Sequence, residues 1–452
     1  MTRETLQIFV ALVIVLLAIP PVNAGSTAFV NVNVVPMNIE TIIAGQTVIV
    51  ANGVIVSIGD VDIIPVPEEA EVVDGTDRYL MPGLTEMHAH VPDAAADDLD
   101  RIFTLFVANG VTTVRSMLGH RSHLRLRQEI LEAQVFRPRL VVSGPSLNGN
   151  SVTGAADAGR KVRAQHAAGY DFIKLHPGLS SDEFFAIAEV ANELGMPFAG
   201  HVPVAVGVSG ALRAGMATID HLDGYLASLL PANHDTSGGY GGFFDVLLAN
   251  EAITDKIAGI AAATARAGTW NVATESMFEH RVSRISPDEL RNRPEMQYMP
   301  RATVRRWVAT KERQFDERGF DAEVAARAIE IRRMTIYALH EAGAGLLLGS
   351  DAPQVFNVPG FSLHQELEYL VLAGLTPFEA LRSGTTAAAA FLGINAGEVS
   401  IGRDADLVLL DANPLSDITN SHRIHGVMLR GAWYSPRDLE QRLLPLRSST
   451  GE

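Results

Sequence analysis

The chain has 452 residues, of which 47% are hydrophobic and 19% are charged, which excludes a disordered protein and suits a large folded unit with a smaller companion domain. The formal net charge of −16, with no cluster of Lys and Arg, argues against a nucleic-acid partner. The absence of cysteine excludes disulfides, thiol catalysis and cysteine-bound metals.

The first 24 residues have the features of an export signal. An apolar run covers Ile8–Ile19, two prolines follow it, and Val22-Asn23-Ala24 offers small residues for cleavage. The run is shorter than the roughly 20 apolar residues that cross a bilayer. The pattern predicts a signal peptide over residues 1–24, a secreted or periplasmic protein, and no stable membrane span after cleavage. An uncleaved anchor is the alternative, because Arg3 is the only basic residue before the run.

Both ends of the remaining chain have patterns typical of β structure. Phe29–Val35 alternates apolar residues with Asn, and Asn52-Gly53 is a hairpin signal between two β-type runs. Near the other end, Ala405–Asp411 and Gly426–Tyr434 are short β-rich runs. We therefore expect residues 25–79 and 395–440 to form one small β-sandwich domain.

Residues 80–394 alternate short β-type runs with helical stretches such as Asp182–Leu194, which favours parallel βα units. The eight predicted strands are Leu80–His90, Val111–Met117, Arg139–Ser143, Asp171–His176, Pro197–Val202, Thr218–Leu222, Thr269–Thr274 and Gly345–Ser350. No Gly-rich phosphate loop follows the first of them, which disfavours a doubly wound sheet. The predicted fold class is α/β, a (β/α)8 TIM barrel that carries the β-sandwich domain.

Long insertions follow the sixth and seventh predicted strands, at residues 231–267 and 277–340. In barrels, the loops that follow strands surround the active site. The insertions are therefore candidates for a lid, although long surface loops are also tolerated without a function.

Histidines, a lysine and an aspartate lie at the ends of five predicted strands. His88 and His90 are two residues apart on one strand, so both imidazoles face the same side. The other strand ends carry Lys174, His176, His201, His221 and Asp351. Barrel active sites are built at these ends, and imidazole and carboxylate groups bind zinc and similar ions. The pattern predicts a metal site at the mouth of the barrel.

These residues resemble the ligand pattern of the amidohydrolase superfamily: His-x-His on strand one, Lys on strand four, His on strands five and six, and Asp on strand eight. The runs Met81-Pro82-Gly83-Leu84 and 402–414 are also similar to that family. The resemblance covers nearly the whole chain after the signal. It is closest to the branch that contains imidazolonepropionases and Xaa-Pro dipeptidases.

The resemblance implies two divalent metal ions, with zinc as the expected metal. In such family members the lysine is carboxylated by CO2, and the resulting carbamate at Lys174 would bridge the ions. By the same carry-over, His88, His90 and Asp351 bind one ion, and His201 and His221 bind the other. The alternative is an unmodified Lys174 that pairs with an acid beside a single ion.

The expected function is hydrolysis of an amide-type bond in a small peptide or an N-acyl amino acid. Two cations lower the pKa of a bridging water, so that hydroxide exists near neutral pH. Asp351 can accept its proton and pass it to the leaving amine. Arg115 is a candidate for binding a substrate carboxylate, and Tyr225 and His176 are candidates for substrate contacts. Packed structural residues are the alternative for all three.

Other histidines are interpreted as ordinary helix or surface residues, namely His120, His123 and His364. The sequence is compatible with a homo-oligomer and with a monomer.

Three alternative functions are weighed against amide hydrolysis. One-metal deaminases of the superfamily carry a Glu three residues after the strand-five His, where this chain has Val204. Imidazolonepropionases are one-metal lactam hydrolases of a cytosolic intermediate, which disagrees with the export signal and with Lys174. A non-catalytic metal-binding scaffold is disfavoured because no ligand is missing.

Dipeptidase specificity is also open, because two stretches depart from the dipeptidase pattern. In those relatives, the strand-five His is followed by Ala and then by an aromatic residue or His, whereas His201 is followed by Val202 and Pro203. A Gly-Gly-His run after strand three is replaced by Ser-Leu-Asn-Gly-Asn at residues 146–150.

Overall fold

The computed structural model describes residues 25–133, 135–232, 242–317 and 320–447. The predicted signal peptide lies outside these residues, as do residues 233–241 of the first predicted insertion. Within the described ranges, no helix is both long enough and apolar enough to cross a bilayer.

The chain alternates strands and helices over most of its length. The strands are β1 (Thr27–Val34), β2 (Ile43–Ala51), β3 (Val54–Asp60), β4 (Glu71–Asp74), β5 (Tyr79–Pro82), β6 (Leu84–Ala89), β7 (Val111–Ser116), β8 (Arg139–Val142), β9 (Ile173–Leu175), β10 (Phe198–Gly200), β11 (Thr218–Asp220), β12 (Trp270–Val272), β13 (Leu407–Leu410), β14 (Ile424–Leu429) and β15 (Ala432–Tyr434). The α-helices are α1 (Leu99–Ala108), α2 (His123–Glu132), α3 (Ala155–Ala168), α4 (Ser181–Leu194), α5 (Gly207–Arg213), α6 (Tyr225–Ser228), α7 (Ile257–Ala267), α8 (Glu275–Val282), α9 (Pro287–Arg291), α10 (Arg301–Phe315), α11 (Ala322–Glu341), α12 (Phe361–Leu372), α13 (Pro377–Ser383), α14 (Thr386–Leu392) and α15 (Pro436–Leu443). Short 3-10 helices cover Phe243–Glu251, Thr254–Lys256, Pro294–Tyr298, Ile418–His422 and Leu444–Leu446.

The two ends of the chain form one sheet, as the β-rich patterns predict. Its strand order is β15-β14-β13-β5-β1-β2-β3, and β4 pairs with β1. Strand β13, from the C-terminal part of the chain, runs antiparallel to β5 and so joins the C-terminal strands to the N-terminal ones. Phe29, Leu80, Leu407 and Met428 are buried in its own apolar cluster. All eight strands belong to a single sheet, so the predicted sandwich of two sheets is not confirmed.

The predicted first strand of the barrel is two strands with a break at Gly83. Tyr79–Pro82 belongs to the terminal sheet, whereas Leu84–Ala89 belongs to a parallel sheet. A Cβ atom at Gly83 would lie 2.2 Å from the Thr112 side chain, so the backbone passes where only glycine fits. This close approach lets the chain leave one sheet and enter the other.

The parallel strands form two sheets, β6-β7-β8 and β12-β11-β10-β9. Isolated bridges connect them through Ser143 with Phe172 and through Leu147 with Leu175. Each pair of neighbouring strands within these sheets is parallel. The alternating pattern of residues 80–394 therefore predicted the parallel order correctly.

The predicted eighth strand, Gly345–Ser350, is not a regular strand. Leu346 and Ala352 make single bridges to β12 and β6, one at each edge. Between these bridges, the buried carboxylate of Glu86 accepts hydrogen bonds from the backbone N–H groups of Ser350 and His88. A side chain therefore replaces part of the backbone ladder, which the apolar pattern could not reveal.

Helix α4 shows how local sequence fixes the helical layer. Ser180 and Glu183 form a reciprocal capping box, and Gly195 ends the helix in a left-handed conformation. Phe184 and Ile187 are buried against the main apolar core. The helical pattern in the sequence placed this helix to within one residue at its start.

Candidate metal centre

The structure brings the six predicted ligands together at the C-terminal ends of the parallel strands. His88 lies in β6, Lys174 lies in β9, and His201 and His221 directly follow β10 and β11. Asp351 follows the irregular eighth segment, and its backbone N–H donates to the carbonyl of His88. Residues from separate stretches therefore converge because their strand ends share one face of the fold.

Asp351 lies at the centre of one half of the cluster. Its Oδ1 atom is 3.0 Å from Nε2 of His90 and 3.7 Å from Nε2 of His88. Its Oδ2 atom is 3.8 Å from Nδ1 of His221. One ligand atom from each of His88, His221 and Asp351 lies within 4.8 Å of the other two. This separation is small enough for the three groups to bind one ion.

Lys174 is fully buried beside these residues. Its Nζ atom lies 3.5 Å from Nε2 of His88 and 4.0 Å from Oδ2 of Asp220. A Cβ atom at Gly200 would lie 2.9 Å from Cδ of Lys174, so glycine leaves the space in which the lysine is packed. Burial lowers the pKa of Lys174 to about 8, although the nearby Asp220 acts in the opposite direction.

The other half of the cluster contains His201 and His221, whose ring centroids are 4.7 Å apart. Nδ1 of His201 is 3.0 Å from the Asp223 carboxylate, and Nδ1 of His221 is 2.8 Å from the Thr274 hydroxyl. Such contacts orient imidazoles that bind metals. Both rings are therefore held in place by side chains that the sequence pattern did not single out.

The donor set fits a divalent cation. Among the described residues, Nδ1 of His88 and Oδ1 of Asp351 are buried atoms without a hydrogen bond of good geometry, although each lies 3.0 Å from a polar atom, of Asp220 and His90 respectively. Burial lowers the pKa of His90 to about 3 and raises the pKa of the Asp351 carboxyl well above its usual range. Neutral imidazoles are the form that binds metals, and unpaired buried oxygens are costly without a compensating charge.

Of the three predicted substrate contacts, only His176 lies at the open edge of the cluster. It is partly exposed, and its ring centroid is 5.3 Å from that of His201 and 6.5 Å from that of His90. A ligand that enters the cluster can therefore reach this imidazole.

The geometry does not favour the predicted substrate contact of Arg115. The residue is 2% exposed, and its Nε donates to the carbonyl of Met87 at 2.7 Å. Its Nη2 atom is 3.5 Å from Asp220, and the guanidinium lies over the rings of Phe172 and Phe391. The side chain of β7 points into the interior, where it contacts Asp220 rather than a substrate carboxylate.

Tyr225, another predicted substrate contact, lies among packed side chains, the alternative that the sequence left open. Its hydroxyl lies 2.9 Å from the side chains of both Thr264 and Asn271. Burial raises the pKa of this hydroxyl. The short helix after His221 therefore turns the tyrosine away from the cluster and into the core.

The three histidines interpreted as structural, His120, His123 and His364, have other contacts. His123 is buried and its Nε2 is 2.8 Å from the carbonyl of Pro92, whereas His120 is partly exposed near Asp93. His364 is buried and contacts Ser421. These positions agree with structural rather than ligand roles.

Glu86 is a functional candidate that sequence reasoning missed. Its carboxylate accepts hydrogen bonds from the N–H and hydroxyl of Ser350 and from the N–H of His88. Burial raises its pKa to about 7. The group thus connects the strand of His88 to the segment of Asp351. An acidic residue inside an apolar strand, two positions before His88, was the available signal.

Arg332 on α11 is a second residue that the sequence did not reveal. Its guanidinium donates to the carbonyl oxygens of His221 and Ala273 at 2.7 and 2.9 Å, and its Nε is 2.8 Å from the Glu275 carboxylate. His221 and Thr274 adopt left-handed backbone conformations, which are uncommon for residues other than glycine. Arg332 therefore binds the backbone at the ends of two strands, at or next to residues in the left-handed conformation.

The comparison with protein families defines the chain as an enzyme of the hydrolase class. The sequence model of the Amidohydrolase family matches residues 79–434, so the chain belongs to the amidohydrolase family, whose members act on carbon–nitrogen bonds. This match confirms the resemblance stated from the ligand pattern. No curated protein matches the chain.

Solved structures with the same fold include other amidohydrolases. Bottromycin amidohydrolase is 24% identical with a TM-score of 0.72, and the match covers 94% of this chain and 91% of that chain. A putative prolidase from Bifidobacterium longum is 23% identical with a TM-score of 0.67, covering 94% and 99%. A Xaa-Pro dipeptidase with bound methionine is 18% identical with a TM-score of 0.64, covering 91% and 100%. These likenesses show a mixed α/β fold of the TIM-barrel type, and they include the predicted dipeptidase branch.

Proposed function

We propose that the protein is a binuclear metal-dependent hydrolase that cleaves an amide-type bond in a peptide or an N-acyl amino acid. One observation carries the proposal: four imidazoles, a buried lysine and a buried carboxylate meet at the strand ends, and burial lowers the pKa of His88 well below its usual range. Membership of the amidohydrolase family supports the reaction class. The prolidases and bottromycin amidohydrolase among the similar structures support an amide substrate.

Six residues would hold the two ions. His88, His90 and Asp351 hold the first, His201 and His221 hold the second, and a carboxylated Lys174 contacts both. When bound, such ions lower the pKa of a water molecule and polarise the scissile carbonyl group. Zinc is the metal we expect, because imidazole and carboxylate ligands suit it.

The surroundings of Lys174 support its carboxylation. A pKa of about 8 leaves a useful fraction of neutral amine near neutral pH. The ammonium group first releases a proton, the neutral amine nitrogen then attacks the carbon of CO2, and the adduct releases a second proton. A carbamate anion thus replaces a buried cation. The change replaces a charge that repels metal ions with one that binds them.

Asp351 is the proposed acid and base. Its carboxyl lies within 4 Å of three of the imidazoles, so it can take the proton from an attacking water and deliver it to the leaving amine. His176, at the open edge, is the proposed substrate contact. Arg115 and Tyr225 are proposed to support the site from the interior.

We also propose that the two parallel sheets and residues 345–352 form one eight-stranded barrel. The bridges at both edges support this ring. The barrel would cover residues 80–394, with the terminal sheet as a second domain and the helical insertions as a possible source of a lid. The N-terminal pattern supports export to the periplasm or beyond the cell.

A panel of substrates tests the function. Zinc-loaded protein is assayed on dipeptides, N-acyl amino acids and lactones, before and after removal of metal with a chelator. We expect hydrolysis of at least one amide class, loss of that activity on chelation, and recovery on addition of zinc. Ammonia release from a ring amine would favour the deaminase alternative. Amide hydrolysis that persists without metal, or turnover of lactones alone, would contradict the proposal.

A further inference from the structure

Two adjacent phenylalanines follow the sixth predicted barrel strand, and their rings contact each other edge to face with 4.6 Å between centroids. Phe243 is anchored in the protein: its ring stacks on that of buried Phe278 at 6.2 Å, and the Arg281 guanidinium lies 3.7 Å from its centroid. Phe244 is also partly buried and packs against the same apolar cluster as Phe243. Phe243 and this cluster therefore hold the ring of Phe244 in place.

Phe244 lies directly against two of the proposed metal ligands. Its ring is nearly parallel to that of His201, with 5.9 Å between centroids and an interplanar angle of 7°. The centroid of His221 is 4.9 Å away. The benzyl group therefore covers one side of this pair of imidazoles.

The backbone adopts an unfavourable conformation to present this ring. Phe244 and Asp245 have φ values of 49° and 61°, in the left-handed region that favours glycine. Strained backbone of this kind persists only where its surroundings hold it, and it is concentrated at ligand-binding sites. Here the left-handed conformation is that of Phe244 itself, the residue that contacts two of the proposed ligands.

We propose that Phe244 is a specificity-determining residue that selects substrates with an apolar, preferably aromatic, group next to the scissile bond. An aromatic face gains contact area with such a group, whereas a charged group would lose its hydration there. The inference rests on the proposed function, because Phe244 would select the substrate that binds at the proposed metal site. It adds a substrate class that the ligand pattern alone does not define.

Binding of two metal-directed hydroxamates tests this role without depending on turnover. Benzohydroxamate and acetohydroxamate share the group that binds metal and differ in an aromatic ring. Their dissociation constants are measured by calorimetry on zinc-loaded wild-type protein and on Phe244→Ala and Phe244→Leu variants. Phe185→Ala is the matched control, since Phe185 is 41% exposed on helix α4.

We expect the wild-type preference for benzohydroxamate to fall about tenfold in Phe244→Ala, within the range that apolar pockets discriminate. Phe244→Leu should retain part of the preference, Phe185→Ala all of it, and zinc content should stay unchanged in each. An unchanged preference in Phe244→Ala would overturn this inference but would leave the proposed function unaffected. Failure of both compounds to bind the zinc-treated wild type would contradict the metal centre, and the inference with it.

Discussion

Replacing Asp351 by Asn is expected to reduce turnover by about 10²- to 10⁴-fold, the usual contribution of a positioned acid–base group. The amide oxygen can still ligate a cation, so most of the metal should remain bound. The amide cannot take up or deliver a proton at neutral pH, so the chemical step fails. The comparison is made on kcat, together with the metal content of each protein.

Asp93→Asn is the matched control for this variant. Asp93 lies shortly after β6, the strand of His88, and its side chain is 49% exposed near His120. It should retain wild-type turnover. Activity within about tenfold of wild type in the Asp351 variant, with metal retained, would remove Asp351 from the acid–base role.

Replacing Arg332 by Met is expected to lower the free energy of unfolding by about 3–5 kcal/mol, the cost of breaking a buried ion pair by removing one partner. Arg332 is 4% exposed and pairs with Glu275, which is fully buried. The substitution would leave that carboxylate and the carbonyls of His221 and Ala273 without their donor. Denaturant unfolding monitored by circular dichroism measures the difference.

Two further variants separate the ion pair from general damage to helix α11. Arg333→Met removes the neighbouring arginine, whose side chain is 29% exposed and pairs with Glu279, and should cost about 1–2 kcal/mol. Adding Glu275→Gln to the Arg332 variant should recover part of the loss, because no unpaired charge remains. If the Arg332 and Arg333 variants have the same free energy of unfolding, the buried pair of Arg332 and Glu275 contributes no more than the partly exposed pair.

Features that depend on strand direction could be predicted from the sequence. His88 and His90 converge because alternate residues of a strand face the same side, and His201 and His221 join them because parallel strands end at one face. The capping signals around α4 are local, so they fixed that helix directly. In each case the cause is either a local pattern or the common direction of parallel strands, and both can be recognised in the sequence.

Features that depend on contacts between distant segments could not be predicted in this way. Glu86 replaces backbone hydrogen bonds of Ser350, which lies 264 residues away. Arg115 ends a strand, as a substrate-binding residue would, but its contact with Asp220 draws it inward. Phe244 and Asp245 are in the left-handed conformation, but neither is a glycine, so the sequence does not indicate this turn.

Metal content is the most direct test of the central claim that six side chains hold two ions. Wild-type protein prepared with bicarbonate, saturated with zinc and freed of excess metal should contain about two equivalents per chain, and the Lys174→Met variant one or fewer. A wild-type protein that retains no zinc, or one equivalent that the Lys174 substitution leaves unchanged, would contradict the binuclear site.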